Sequence, residues 1–188
     1  MHKNKKLVEA LDQYDFPWDQ DETIFKDKSK YPKAIGDFLV CFSNLESALN
    51  LLIVDIINDR AHDLGYQVIK TLTYKAKADL ANSLYLSKIS CIPNSKLKNK
   101  TIGELKLIMG KVIKLNSIRN NIVHANWMTL EKNSRVRVKV TQNDSGRVEF
   151  IKTKITPSMI LKFANQCNVF ANRLYSFPDK VNSRFSIN

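Results

Sequence analysis

Residues 32–59 read PKAIGDFLVCFSNLESALNLLIVDIIND, and this stretch decides the fold. Its large apolar residues recur at alternating spacings of three and four, at Ile35, Phe38, Phe42, Leu45, Leu49, Leu52 and Ile56. That spacing returns each side chain to the same face of an α-helix, so it predicts one long helix with one apolar face. Such a face must be covered by other elements of the chain.

Three further helices are predicted by the same kind of spacing. The second covers about 63–89, and Pro93 closes the connection after it. The third runs from about 101 to 127. The last has Thr156 as its N-cap and Pro157 at its first helical position, and it ends near Phe177. These helices supply the partners that the first helix needs.

Between the third and the last helix the apolar period changes to two. Val136, Val138 and Val140 alternate with basic residues, namely Arg135, Arg137 and Lys139. A turn-forming segment, 143–146, follows, so a β-hairpin with a basic outer face is predicted over about 134–155. The apolar phase shifts between Phe150 and Ile151, which fits either a bulge or the end of the strand. The predicted fold is mainly α, a four-helix bundle with a β-hairpin inserted before the last helix.

The length of 188 residues is that of one domain. Residues 1–31 mix acidic and aromatic residues around Pro17, which indicates an N-terminal arm lying on the body of the protein. Residues 32–177 form the predicted helical domain, and residues 178–188 are predicted to be a loose C-terminal tail.

The charge of the chain is uneven. It has 30 Lys and Arg against 18 Asp and Glu, a net charge of +12. Seven of the acids and six of the lysines lie in the first 30 residues, which leaves 24 bases and 11 acids, or +13, in the remaining 158. A surplus of that size on a small domain attracts polyanions, of which nucleic acid is the commonest in a cytoplasm. The alternative is a solvated, lysine-rich surface without a ligand.

Several classes of protein are disfavoured by the composition. Uninterrupted apolar runs such as 51–54 are far shorter than the roughly 20 residues that a bilayer requires, so we expect a cytoplasmic protein without a membrane partner. Its three cysteines, Cys41, Cys91 and Cys167, stand in apolar stretches and indicate buried thiols without a disulfide. No zinc motif, Walker loop or dinucleotide fingerprint occurs, so we expect no metal and no cofactor.

The third helix breaks its own pattern at one position. With Leu105 set at 0° and 100° per residue, its apolar positions lie between about −100° and 0°. Arg119 falls at about −40°, inside that apolar face. Because an unpaired buried charge costs several kcal/mol, such a placement needs a reason. The polar residues Asn116, Asn120 and His124 continue from Arg119 along one edge of the helix.

Residues 117–127 read SIRNNIVHANW. Asn120 directly follows Arg119, and His124 is the fifth residue after Arg119. This resembles the Arg-x4-6-His motif of the HEPN superfamily, in its common form with Asn after the arginine. The resemblance covers the helical bundle in outline and the motif in detail, but neither the hairpin nor the arm. It implies a small helical bundle that forms a homodimer and cleaves RNA without a metal.

The resemblance also implies roles for the matching residues. His124 would move protons between the ribose 2′-OH and the leaving 5′-oxygen, as an imidazole can near neutral pH. Arg119 would stabilise the negative charge on the phosphoryl group through its fork of donors. Asn120 would orient the phosphate or the imidazole, supported by Asn116, while Glu46 would hold Arg119. Predicted contacts to the RNA backbone come from two basic segments, Lys96, Lys98 and Lys100 and Arg135, Arg137 and Lys139.

The predicted function is therefore a metal-independent endoribonuclease that leaves 2′,3′-cyclic phosphate and 5′-OH ends. Such a protein would act as a toxin or in defence against phage, with an antitoxin or regulatory protein as a partner. One alternative is a non-catalytic HEPN-like dimer that binds RNA or a protein through its basic face. Another is a structural bundle in which Arg119 pairs with an inward acid, Glu46 or Asp79, and His124 interacts with carbonyls at the helix end.

Overall fold

The computed structural model describes residues 30–57, 63–124, 126–131, 134–142, 146 and 148–185. The predicted N-terminal arm lies outside these residues, apart from Lys30 and Tyr31. The described elements are, in chain order, α1 (Lys30–Ile57), α2 (Asp63–Ile69), α3 (Tyr74–Ser90), α4 (Ser95–Val123), β1 (Asn126–Glu131), β2 (Ser134–Gln142), β3 (Val148–Lys154) and α5 (Pro157–Ser183). The prediction of a mainly α fold is confirmed.

Helix α1 is the centre of the bundle. It packs along α5 over its most extensive interface and also contacts α2, α3 and α4. Its predicted apolar face is buried at Phe38, Leu45, Leu49 and Leu52. The core is closed by the apolar stripes of α4 and α5, and these include Leu105, Ile108, Val112, Leu115, Ile160, Ala164, Cys167, Ala171 and Leu174.

By length and composition α1 is also apolar enough to cross a membrane, and it is the one helix of the described residues that is. The core helix of a soluble protein passes the same test, and the apolar face of α1 is covered by the bundle. A cytoplasmic location stays a prediction.

The second predicted helix is two helices. Residues 70–73 interrupt it, and α3 begins after Thr73, whose side chain accepts a hydrogen bond from the backbone N–H of Ala76 at 3.2 Å. This N-cap accepts a hydrogen bond from one of the free backbone N–H groups of the first turn, so it favours a separate helix that begins at Tyr74. The prediction of one continuous helix over 63–89 is wrong, although α2 and α3 lie within its bounds.

Helix α4 corresponds to the third predicted helix, but it begins and ends earlier in the chain than predicted. Asn94 caps α4, since its side chain accepts from the N–H of Leu97 at 3.0 Å. The helix ends at Val123, and the chain enters β1 at Asn126. Extension of the helix to Trp127 is therefore wrong, because residues 126–131 pair with β2 instead.

The strands form one antiparallel sheet in the order β1-β2-β3. The register of β1 on β2 pairs Trp127 with Arg137, and it shifts between Thr129 and Glu131. The register of β2 on β3 is unbroken from Val136↔Lys154 to Gln142↔Val148, so β3 passes Phe150 and Ile151 without a bulge. The sequence pattern indicated two strands here, and β1 is the third.

The last helix continues beyond the predicted end at Phe177. Pro178 lies inside α5, which runs to Ser183 because Val181 is buried in the core and Arg184 is anchored to α4. The guanidinium of Arg184 donates to the hydroxyl of Thr101 and to both carboxylate oxygens of Glu104. The prediction of a loose tail from residue 178 is therefore wrong for residues 178–185.

The three cysteines are free but differ in burial. Cys167 is buried, Cys41 is half-buried and Cys91 is exposed at the C-cap of α3, so the expectation of buried thiols is wrong for Cys91. Burial, together with the neighbouring Cys41, raises the pKa of Cys167 to about 12, which keeps that thiol protonated at neutral pH.

Glu104→Gln tests the anchor of α5. Partial burial acts to raise the pKa of Glu104, but hydrogen bonds from Lys180 and Arg184 outweigh it and hold the pKa below the ordinary 4.5. A carboxyl with a lowered pKa stabilises the fold fully above its unfolded-state pKa, and this contribution is lost as the pH falls through the folded-state pKa. We expect the substitution to lower the free energy of unfolding at pH 7 by about 1–3 kcal/mol.

The measurement is urea unfolding of both proteins at neutral pH and at successively lower pH. The difference between them should shrink below pH 4.5. Asp37→Asn is the matched control, because the pair that Asp37 makes within the described residues is with the exposed Lys33, across one helical turn at 3.5 Å. That variant should lose less than about 0.5 kcal/mol. An equal loss in the two variants would contradict the anchoring role of Glu104.

Candidate active site at the end of α4

The residues of the predicted motif lie on the last turns of α4. Arg119 and Asn120 belong to the helix, and His124 is its C-cap, with a backbone N–H that donates to the carbonyl of Asn120 at 3.0 Å. The backbone of His124, at φ −98° and ψ 20°, has left the helical conformation. His124 therefore marks the point at which the chain turns from α4 toward the sheet.

The side chain of Arg119 is half-buried and has two partners. Its guanidinium carbon lies 5.9 Å from the centre of the Phe42 ring, a cation–π contact, and its Nη1 donates to Oδ1 of Asn120 at 3.1 Å. An aromatic face attracts a cation without neutralising it. This contact explains how a charged residue is accommodated on the apolar face of α4.

Phe42 is itself held in an aromatic cluster. It is buried, its ring stacks on Tyr74 of α3 with centres 5.0 Å apart, and it lies 6.2 Å from the ring of Phe38. Three elements thus meet beneath the guanidinium, since α1 and α3 supply the rings and α4 supplies Arg119. The position of Arg119 is fixed by packing, so its remaining N–H donors are presented in a defined place.

Glu46 does not hold Arg119. Its Oε1 accepts a hydrogen bond from Nζ of Lys77 at 2.9 Å, and the Lys77 side chain is only 10% exposed. Glu46 lies one turn beyond Phe42 on α1, where α3 brings Lys77 to it. Among the described residues Glu46 contacts Lys77 and not Arg119, so its predicted role toward Arg119 has no support from this geometry.

The pairing of Arg119 with an inward acid is not found either. Asp79, the other candidate, is exposed. Among the residues that the structure describes, Arg119 contacts no carboxylate. The interpretation of Arg119 as one half of a buried ion pair is wrong within that part of the chain.

The other motif residues are more accessible. Asn116 is half-buried, while Asn120 and His124 are exposed. The structure brings Arg119 and Asn120 into direct contact, and it gives no hydrogen bond from either of them to the His124 imidazole within the described chain. Five residues of helix separate Arg119 from His124 by about 140° around the axis, which accounts for this separation.

The two predicted RNA-binding segments lie in different places. Lys96, Lys98 and Lys100 are in the first two turns of α4, and a rise of 1.5 Å per residue puts them about 36–42 Å from His124. Arg135, Arg137 and Lys139 alternate along β2, in the sheet that begins directly after the motif. Only the second segment follows closely on the candidate catalytic residues along the chain.

A separate cavity of about 360 Å³ opens between α1, α2 and α3. Its lining includes no residue of the predicted motif and consists of Asn50, Asp63, Tyr66, Gln67, Ile69, Lys70 and Lys77. No group of three or more His, Cys, Asp or Glu that could hold a metal ion occurs in the described part of the chain.

Sequence reasoning missed the aromatic support of the site. Phe42 belongs to the predicted apolar stripe of α1, but the stripe alone does not say which residue of another helix covers it. The angular position of Arg119 between apolar residues was the available signal, because it requires an apolar or aromatic partner.

Comparison with models of known protein families, with curated proteins and with solved structures gives no match. The function must therefore be argued from the site.

Tyr74→Phe tests the packing beneath the site. The Tyr74 hydroxyl is buried and has no hydrogen-bond partner among the described residues, and burial, with Cys167 and Glu46 nearby, raises its pKa far above the ordinary value. Removing an unsatisfied buried hydroxyl should leave the free energy of unfolding unchanged or raise it by up to about 2 kcal/mol.

The matched control is Tyr85→Phe, measured by the same urea titration. The Tyr85 hydroxyl donates to Asp55 at 3.3 Å, so its removal should lower the free energy of unfolding by about 0.5–1.5 kcal/mol. Equal destabilisation in the two variants would mean that the Tyr74 hydroxyl has a partner after all.

Proposed function

We propose that this chain is a metal-independent, HEPN-type endoribonuclease that acts as a homodimer. The observation that carries the proposal is the environment of Arg119, a half-buried guanidinium that lies on the Phe42 ring and bonds the Asn120 amide. In the described part of the chain no carboxylate neutralises it, so the charge is available to an external anion. RNA phosphate is the anion that best matches the chain's net charge of +12.

Arg119 would bind the phosphate that is cleaved. A guanidinium has five N–H donors in a fixed fork that matches two phosphate oxygens, and Asn120 uses one of these donors. Because the group is half-buried, its attraction for a phosphate is screened less than that of a fully solvated lysine. This arrangement suits stabilisation of the extra negative charge that develops on phosphorus in the transition state.

His124 would transfer the protons. The ribose 2′-OH loses its proton to one imidazole, the 2′-oxygen forms a bond to phosphorus, and the bond from phosphorus to the 5′-oxygen breaks. The 5′-oxygen takes up a proton from an imidazolium, so the products are a 2′,3′-cyclic phosphate and a 5′-OH. DNA would be spared, since it lacks the attacking hydroxyl.

A homodimer would bring the two groups to one phosphate. Arg119 and His124 diverge by about 140° on one helix, so a single copy aims them in different directions. Two copies related by a two-fold axis would place Arg119 of one beside His124 of the other in an isologous interface. A role as a toxin or a phage-defence effector, restrained by an antitoxin or regulatory protein, belongs to the same proposal.

The test is RNA cleavage in EDTA by the purified protein, with His124→Ala and Arg119→Lys beside the wild type. Loss of a proton-transfer group or of the guanidinium fork should lower turnover by about 100-fold or more. Arg173→Lys is the matched control, because Arg173 also lies over a phenylalanine ring, that of Phe170 at 5.0 Å, but outside the motif. It should keep full activity.

Thermal unfolding must show that each variant is folded, and the product ends are identified chemically. Cleavage that leaves cyclic phosphate ends in the wild type and in Arg173→Lys alone is the expected outcome. A folded wild type that binds RNA but cuts none would favour the non-catalytic binding protein. Parallel losses of stability and activity in Arg119→Lys would favour a structural role for Arg119.

Mixing two inactive variants tests the shared site. After unfolding and refolding together, Arg119→Lys and His124→Ala should form mixed dimers in which one of the two sites has both functional groups. With equal amounts of the two variants, about half of the dimers are mixed and one of the two sites in each is complete. The mixture should therefore recover about a quarter of the activity of the same amount of wild type. No recovery, with mixed dimers demonstrated by mass, would place both groups of each site in the same copy.

A further inference from the structure

One face of a short helical segment lines the cavity between α1, α2 and α3. Asp63, Tyr66, Gln67 and Lys70 all contribute to the lining, and they stand at positions i, i+3, i+4 and i+7. At 100° per residue these positions fall within an arc of about 100°, so the four residues share one face. The spacing stays helical up to Lys70, whose backbone N–H donates to the carbonyl of Tyr66 at 2.9 Å.

The two ends of this face carry opposite charges. Lys70 follows Asp63 by seven positions, and a rise of 1.5 Å per residue puts their Cα atoms about 10 Å apart. Both residues are exposed, and neither forms a salt bridge within the described part of the chain. A carboxylate at one end and an ammonium at the other suit a ligand that has a cation at one end and an anion at the other.

Helix α3 adds hydrogen-bond donors to the cavity without adding net charge. Lys77 lines the cavity and is only 8% exposed, and Glu46 accepts a hydrogen bond from its Nζ at 2.9 Å. That pair cancels the charge of Lys77. An ammonium has three N–H donors, however, and two of those of Lys77 have no acceptor among the described residues. These donors suit a neutral acceptor such as a carbonyl oxygen.

Helix α1 adds an amide that is incompletely hydrogen-bonded. Asn50 also lines the cavity, and its Oδ1 is buried without a hydrogen-bond partner among the described residues, which costs about 1–3 kcal/mol. A half-turn of the amide about its Cβ–Cγ bond exchanges its oxygen and its NH₂, so it can meet either a donor or an acceptor. Gln67 supplies a second amide from α2. Because a peptide group has the same donor and acceptor, these two amides suit the backbone of a bound peptide.

The length of the ligand follows from the separation of the charges. An extended chain spans about 3.3–3.6 Å per residue, so three residues span about 10–11 Å. This equals the distance between the Cα atoms of Asp63 and Lys70. The cavity volume of about 360 Å³ is at the lower end of the roughly 300–1,000 Å³ of small-ligand sites, so it suits a short peptide and not a folded segment.

Apolar groups and a close helix contact complete the site. Ile69, which is 1% exposed, and the ring of Tyr66 are apolar parts of the lining. Helix α2 is held close to α1 at Gly65, where a Cβ would lie 2.9 Å from Cγ2 of Val54. This contact fixes the distance between α2 and Asn50, so the charges and the amides have a defined spacing.

We propose that this cavity binds a free tripeptide that lies extended along α2. Its N-terminal ammonium would pair with Asp63 and its C-terminal carboxylate with Lys70. Its peptide groups would bond to Asn50 and to the remaining donors of Lys77, and an apolar central side chain would pack on Tyr66. The proposal is independent of the nuclease function, because no residue of the motif lines the cavity.

Nuclear magnetic resonance titration of the full chain tests the site, with glycyl-leucyl-glycine as the probe. We expect saturable shifts of the backbone signals of residues 63–70. Binding should be about 2- to 5-fold weaker when the peptide is N-acetylated or C-amidated, since each change removes one exposed ion pair. Free leucine is too short to reach both charges and should bind more weakly than any of these peptides.

Matched variants assign each end of the peptide. Asp63→Asn should bind the free peptide as weakly as the wild type binds the acetylated one, and acetylation should then have no further effect. Lys70→Gln should respond in the same way to C-amidation. Asn50→Ala should weaken binding by about 2- to 12-fold and stay as stable as the wild type, because its buried oxygen has no partner to lose among the described residues. Lys75→Gln and Asp79→Asn remove exposed charges of α3 outside the lining, so these controls should bind as the wild type does.

Three results would overturn the proposal. No saturable shift at millimolar peptide, with circular dichroism showing a folded protein, would mean that the cavity holds only water. Equal affinity for the free, acetylated and amidated peptides would contradict the assignment of the charged ends. Equal affinity for leucine and the tripeptide would contradict the length. RNA cleavage by the same variants should stay at the wild-type level, so either proposal can fail without the other.

Discussion

The packing of α1 against α5 is the contact on which the rest of the structure depends. It buries the apolar face of α1 along most of its length, and α3 and α4 are held against the same helix. Phe42 belongs to that face, yet its ring also carries the guanidinium of Arg119. The core and the candidate site are therefore two sides of one helix, and the precision of the site derives from the packing of the core.

Two basic side chains enter the bundle near this helix, and they are stabilised in different ways. Lys77 is nearly buried and is neutralised by Glu46 at 2.9 Å, a pair that holds α3 to α1. Arg119 has an aromatic ring and an amide oxygen instead, so its charge is attracted but not cancelled. The charge of Lys77 is thus neutralised by a residue of the chain itself. The arrangement of Arg119 leaves the capacity to bind an anion, and this contrast is the physical basis of the proposed phosphate site.

The sequence pattern predicted those helices whose apolar spacing is not interrupted by another local structural signal. The stripe of α1 and the cap and stripe of α5 are examples, and both helices occur where the apolar period places them. The break before Tyr74, the end of α4 at Val123 and the passage of α5 through Pro178 were missed, because each depends on a cap, a strand partner or an anchor elsewhere in the chain. The motif residues were found from their angular position. Their partners were not, since periodicity does not distinguish Lys77 from Arg119 as the neighbour of Glu46.

The pairing of α1 with α5 also has a consequence for the order of folding. The strands pair with neighbours in sequence, so the sheet can form as soon as residues 126–154 are available. The α1 face, in contrast, waits for a helix that begins 100 residues after α1 ends. On a ribosome the core would stay open until α5 has emerged, and the apolar side of α1 would be exposed to chaperones for most of synthesis.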